Sequence, residues 1–194
     1  ETILNIIDIL KGHTLAIELV SKYMQRARIK PSNMLDILKE KGITPDLKGN
    51  INHQFKNNTM YEYIKILFDI SKITEEEKQI LSNLSLFALS EILFDLFIDC
   101  SELESGFVID ELIRKNWIQH NWETDKISLH PLIIDVVKNE CKPDLEKCAT
   151  LFKHISSLDS WAMSEQERLN YESFILNIYN NFLNIKENNI NEFI

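Results

Sequence analysis

The sequence is poor in residues that break a chain. Four glycines and four prolines occur in 194 residues, which excludes collagen-like repeats and long flexible linkers. The same scarcity excludes an all-β sandwich, which needs a turn about every ten residues. No apolar run reaches the roughly 18 residues that a membrane-spanning helix requires. Cysteine is also scarce, and Cys100, Cys141 and Cys148 form an odd set without CxxC spacing. Disulfide frameworks favour even sets in short secreted chains, so these three read as thiols of a reducing compartment, the cytoplasm. Basic residues are outnumbered, 21 Lys and Arg against 30 Asp and Glu, for a net charge of -9. That balance argues against a general nucleic-acid coat.

No signal peptide is visible in the sequence. The chain opens at Glu1 inside an apolar helical pattern, with no basic stretch ahead of an apolar core. It stops at Ile194 without a helix terminator. We therefore read it as a piece of a longer protein.

Chemistry-bearing motifs are missing as well. The closely spaced Gly42 and Gly49 flank GITPDLKG, which lacks the G-K-S/T ending of a phosphate-binding loop. There is no GxGxxG and no GxSxG, and the five histidines show no metal-ligand spacing. No catalytic site, no metal site and no enzyme activity of its own are expected of this chain.

What the sequence does have is helical periodicity. Ile3, Ile6, Ile7 and Leu10 fall on one face, and Gly12 ends that helix. A second helix is predicted from about Thr14 to Ala27, with Leu15, Leu19 and Tyr23 in its stripe. A third opens at Pro31 and stops at Gly42. Residues 43–58 are rich in turn formers, among them Pro45, Gly49 and Asn50, and predict a subdomain boundary.

Four pairs have capping-box spacing: Thr59 with Glu62, Thr74 with Glu77, Ser101 with Glu104 and Ser164 with Glu167. Stripes at Ile64, Leu67 and Phe68, then at Ile80, Leu81 and Leu84, follow the first two. Leu93, Leu96 and Phe97 suggest a short helix, and Leu112 and Ile113 anchor another. The period then changes. Trp117 to Trp122 and Lys126 to His130 read as two strands of a hairpin. Pro131 starts a further helix, where its missing N–H costs nothing. Helical pattern resumes from Leu145, with Phe152, Phe174, Phe182 and Ile185.

The fold class expected is mainly α. It comprises a helical subdomain (1–58), a winged helix with one β-hairpin (59–142), and helical-repeat-like hairpins (143–194). A winged helix raises DNA binding, with residues 107–115 as the groove reader. There Arg114 and Lys115 are offset by Asp110 and Glu111, and the hairpin turn adds Glu123 and Asp125. Phosphate neutralisation needs clustered cations, so a protein-facing role is favoured over DNA.

Three stretches carry a family resemblance. GHTLAIELVSKYM (12–24) resembles the glycine-x-proline-leucine-alanine motif of NB-ARC nucleotide switches. LFDISKITEEEKQILSNLSLF (67–87) resembles the opening of their winged-helix subdomain. LIRKNWIQHNWETDKISLHPLIIDVV (112–137) resembles its end, with Leu129 to Leu132 as the Leu-His-Pro-Leu variant of a Met-His-Asp motif.

The resemblance implies a signal-transducing ATPase of the STAND class. It implies an upstream P-loop core that binds ADP or ATP, and a tetratricopeptide-type sensor array downstream. It also implies a homo-oligomer on activation. By the same resemblance, His130 corresponds to the histidine that reaches the β-phosphate of ADP. Thr14 stands where the family has the proline that packs on adenine, and Leu15 is beside it. No nucleotide is expected on this chain alone.

Two readings of His130 stand at this point: a ligand contact, or a cap for the helix opened by Pro131. Three functions stand too: part of a nucleotide switch, a DNA-binding regulator, or a helical interaction scaffold.

Overall fold

The computed structural model describes residues 2–41, 53–87, 91–143 and 145–157, with isolated residues between 165 and 176. The chain is mainly helical, with a small three-stranded antiparallel sheet. It divides into two compact units, residues 1–73 with 114–117, and residues 74–113 with 118–194.

The first unit holds α1 (Thr2–Ile9), α2 (Thr14–Ala27), α3 (Pro31–Glu40) and α4 (His53–Ile70). Gly12 links α1 to α2 at φ +68, and its N–H donates to the Ile7 carbonyl at 3.0 Å. A Cβ there would meet nothing within 4 Å, so the backbone angle is what asks for glycine. Pro31 opens α3 at a position where its missing N–H is harmless. α1 packs on α3, and α2 on α4. Ile9, Ala16, Leu19, Met34, Leu38, Ile64 and Leu67 fill the core. Trp117 is 1% exposed and meets the Phe68 ring edge-on at 5.3 Å.

Two expectations are corrected in this unit. The buried face of α1 is Ile6 and Ile9 with Leu10 just beyond, whereas Ile3 is exposed. Thr59 is interior to α4, because the helix begins at His53. A Thr and a Glu three apart also occur as surface neighbours within a helix, so the spacing alone does not mark a start. The expected boundary between 58 and 59 therefore falls inside one continuous helix. The second unit begins at Thr74, because Tyr63, Ile64, Leu67 and Phe68 are buried in the first.

The second unit follows the order helix, strand, helix, helix, hairpin that a winged helix has. Its elements are α5 (Glu75–Ser85), β1 (Ile92–Leu93), α6 (Phe94–Cys100), α7 (Phe107–Arg114), β2 (Gln119–Asn121) and β3 (Lys126–Ser128). α8 (Pro131–Glu140) and α9 (Leu145–Ser156) complete it. α7 runs to the seam in the chain, since Arg114 is counted with the first unit. The sheet order is β1-β3-β2. Ile127 of β3 faces Ile92 on one side and His120 on the other. The Phe94 N–H donates to the Asp125 carbonyl at 3.0 Å and ties the hairpin to the start of α6. α5 packs on α8 and α9, and α6 on α9. Phe87 stacks on Phe174 at 4.6 Å and meets Phe97 edge-on at 6.2 Å.

Here the expected hairpin is present, and β1 adds a third strand to it. The first hairpin strand is shorter than predicted. Trp117 lies outside β2, in the core of the first unit, and Trp122 sits in the turn, 79% exposed. Ser101 ends α6 instead of starting α7. α7 begins only after Gly106, where a Cβ would come within 2.7 Å of the Phe94 ring. The close approach of that ring favours a residue without a Cβ at this position. The Ser164 pair, Pro45, Gly49, Asn50, Phe182 and Ile185 lie outside the described residues.

The Thr74 box forms in full. The Thr74 hydroxyl accepts from the Glu77 N–H at 3.2 Å, and the Glu77 carboxylate accepts from the Thr74 N–H at 2.9 Å. Thr74→Ala should cost about 1 kcal/mol. For a chain of this size that lowers the melting temperature by about 2–4 °C, read by far-ultraviolet circular dichroism.

Candidate functional site

Leu129 is buried at the end of β3, and the chain turns into α8 one residue later. His130 makes that turn at φ -64 and ψ 141, as the residue before the helix. Its Nδ1 accepts from the Leu132 N–H at 3.2 Å. Its carbonyl accepts from Ile133 at 2.8 Å and Ile134 at 3.0 Å. Pro131 has no N–H to satisfy, so the side-chain cap reaches the next donor along. An Nδ1 that accepts a hydrogen bond is unprotonated, so the neutral ring carries its proton on Nε2. The cap reading of His130 is thus realised. It engages one ring nitrogen and defines the other as a donor, so capping and donation are compatible.

Thr14 and Leu15 open α2 in the first unit, whereas His130 belongs to the second. Thr14 is exposed at the first position of α2, and Leu15 is buried in the core. The residue ahead of them behaves unlike His130. His13 occupies the cap position of α2 without a side-chain cap bond, and its Nδ1 is buried without a hydrogen-bond partner. Burial lowers its pKa below the usual imidazole value, since the charged ring is poorly solvated there.

The hairpin turn gathers aromatic and polar groups. His120 Nε2 lies 2.8 Å from Asp125 Oδ1, and the Trp122 and His120 ring centroids are 4.0 Å apart. Asn121 Oδ1 accepts from the Glu123 N–H at 3.1 Å and shapes the turn. On the groove-reader segment, Arg114 is exposed but Lys115 is buried in the first unit. The positive charge available to a phosphate backbone is smaller than the sequence count suggests. Among the described residues, no group of three or more His, Cys, Asp or Glu is placed to hold a metal, and no helix is long and apolar enough to cross a membrane.

None of the three cysteines is in a disulfide. Burial pushes the Cys100 thiol up to about 11, with the neighbouring Asp99 carboxylate adding to the shift. Burial also pushes Cys141 up to about 11. Glu140 and Glu75 add to that, and Lys78 opposes it.

Two outcomes follow. His130→Ala should lower the stability of this chain by about 0.5–2 kcal/mol, and His130→Asn should restore most of it, because Asn is a strong capping residue. Urea titrations of the three proteins measure this. The thiols of Cys100 and Cys141 should react with iodoacetamide about a hundredfold more slowly at about pH 8 in the folded than in the unfolded chain, because the thiolate is the nucleophile. The folded state holds these protons longer than the unfolded state. Their contribution to stability is therefore complete below about pH 8.5 and is lost as pH rises toward 11. Mass-spectrometric alkylation kinetics read the reactivity, and urea titrations across that pH range read the stability.

No protein-family model matches the chain, and no curated protein sequence matches it, so its functional reading rests on its own residues.

Proposed function

We propose that this chain is the regulatory part of an ADP/ATP-dependent signalling switch of the STAND class, and that it restrains or releases a P-loop core lying upstream. The observation that carries the reading is the state of the His130 ring. Its Nδ1 is engaged by the start of α8, which puts the proton of the neutral ring on Nε2 and makes that atom a donor. The order of GHTLA, the α5 segment and Leu-His-Pro-Leu along the chain supports the same reading.

In this proposal residues 1–73 act as the helical subdomain, 74–142 as the winged helix, and 143–194 as the start of a tetratricopeptide-like array. The protein is cytoplasmic and performs no hydrolysis through this chain's own groups. In the closed state the His130 ring donates to the β-phosphate of ADP. Ligand sensing by the array breaks that contact, ATP replaces ADP, and the opened molecules form a homo-oligomer. The element order of the second unit also suits a DNA-binding regulator, but the burial of Lys115 weighs against it.

The test uses the full-length protein with its upstream core. One hydrogen bond to a charged group is worth about 1.5–3 kcal/mol. Converted at about 1.4 kcal/mol per decade, its loss weakens ADP roughly ten- to a hundredfold. His130→Asn keeps the cap but is too short to reach a phosphate, so it should weaken ADP by that factor while lowering the melting temperature of the apo protein much less than His130→Ala does. Isothermal titration calorimetry measures the affinity. Unchanged ADP affinity overturns the proposal. Tight duplex-DNA binding that weakens steeply with salt would replace it with the regulator.

A further inference from the structure

In the first unit, α2, the end of α4 and residues 115–117 enclose a cavity of about 320 Å³. Four cations line it: Lys22, Arg26, Lys72 and Lys115. None of its described lining residues is acidic, in a chain whose net charge is -9. The collection of positive charge is therefore local and runs against the composition of the whole.

The backbone builds this arrangement. Lys22 and Arg26 are one helical turn apart, on the face of α2 that also carries Tyr23. Lys72 follows α4 in the left-handed region, at φ 49. The chain reverses there because the Ser71 hydroxyl donates to the Leu67 carbonyl at 2.6 Å, closing the helix end. Asn116 is also left-handed, at φ 62, and its side-chain amide donates to Glu18 Oε2 at 3.3 Å. That bond anchors the Lys115–Trp117 segment to α2. Lys115 is only 8% exposed, yet it lines the cavity.

The rest of the lining is apolar or aromatic. Ile70, Tyr23 and the Trp117 ring contribute it, and Trp117 is held by its edge contact with Phe68. The volume lies at the lower end of small-molecule sites, about 300–1,000 Å³, and suits a ligand the size of one ring with one or two charged groups. Lysines act as point charges for phosphate, and arginine adds a planar fork.

We propose that this cavity is a binding site for a small organic phosphate, a phosphate monoester with an apolar or aromatic body. The phosphate sits among the four cations and the body rests on Trp117 and Tyr23. The proposal stands on the first unit alone and is independent of the nucleotide-switch reading.

Phenyl phosphate is the probe, with inorganic phosphate and phenol as its two halves. Trp122→Phe with Trp161→Phe leaves Trp117 as the sole tryptophan, whose emission reports binding, and calorimetry gives the affinity. Phenyl phosphate should bind saturably and tighter than either half. Lys22→Gln combined with Arg26→Gln should weaken it at least about tenfold. Lys39→Gln combined with Lys41→Gln, a pair outside the cavity lining, should leave it unchanged. Lys72→Asn removes a charge while keeping a residue that tolerates the left-handed turn. It should also weaken binding, and it serves if the double variant melts early. Absence of saturable binding, equal affinity for inorganic phosphate, or an equal loss in the Lys39 and Lys41 pair overturns the proposal.

Discussion

The second unit depends on the junction between β3 and α8. β3 is the middle strand, and Ile127 is fully buried between Ile92 and His120. Two residues beyond the strand a helix begins. The chain must therefore exchange ladder bonds for helix bonds over Leu129 and His130, with both backbone and side chain partly buried. A helix start leaves N–H groups without intrahelical partners. Pro131 removes one, and His130 Nδ1 satisfies the next available one, at Leu132. α8 can then begin at once and bury Ile133, Ile134, Val136 and Val137 against its neighbours. α5, its packing partner, is started just as firmly by the Thr74 box.

Helices were the most legible part of the sequence. α2 and α3 occupy the spans their periodicity predicts, because each has a breaker at its start or end: Gly12, Pro31, and the left-handed Arg28. The Thr74 and Pro131 starts were readable for the same reason. What failed was information that is not local. A capping-box spacing at Thr59 looks like one at Thr74, but the first lies inside α4 and the second starts α5. β1 is two residues long within an apolar run, and nothing in its own sequence separates it from α6. Trp117 has strand-like neighbours, but Phe68 draws it into another core. The Ser101–Glu104 spacing reads as a helix start, but Ser101 closes α6, and α7 begins only at Phe107.

The candidate site was legible in part. His130 stands out by its place between an alternating strand and a proline. Sequence reasoning framed cap and ligand contact as rivals, and the ring geometry makes them compatible. His13, the histidine of GHTLA, leaves a buried nitrogen without a partner at the start of α2, which its sequence alone does not signal. The cationic cavity could not be read at all. Lys22, Lys72 and Lys115 are spread across the chain, and each alone looks like an ordinary solvated lysine. Only the left-handed turns at Lys72 and Asn116 bring them to one place.

The functional account turns on one proton. If His130 Nδ1 is the acceptor of the α8 cap, the neutral ring bears its hydrogen on Nε2, the atom assigned to an anionic ligand. Long-range proton–nitrogen correlation spectra of the imidazole ring, on ¹⁵N-labelled protein at mildly alkaline pH, observe this directly. The account predicts that His130 is in the Nε2–H form, with its Nδ1 signal shifted by the hydrogen bond from Leu132. A ring protonated on Nδ1 would contradict both the cap and the donor role built on it.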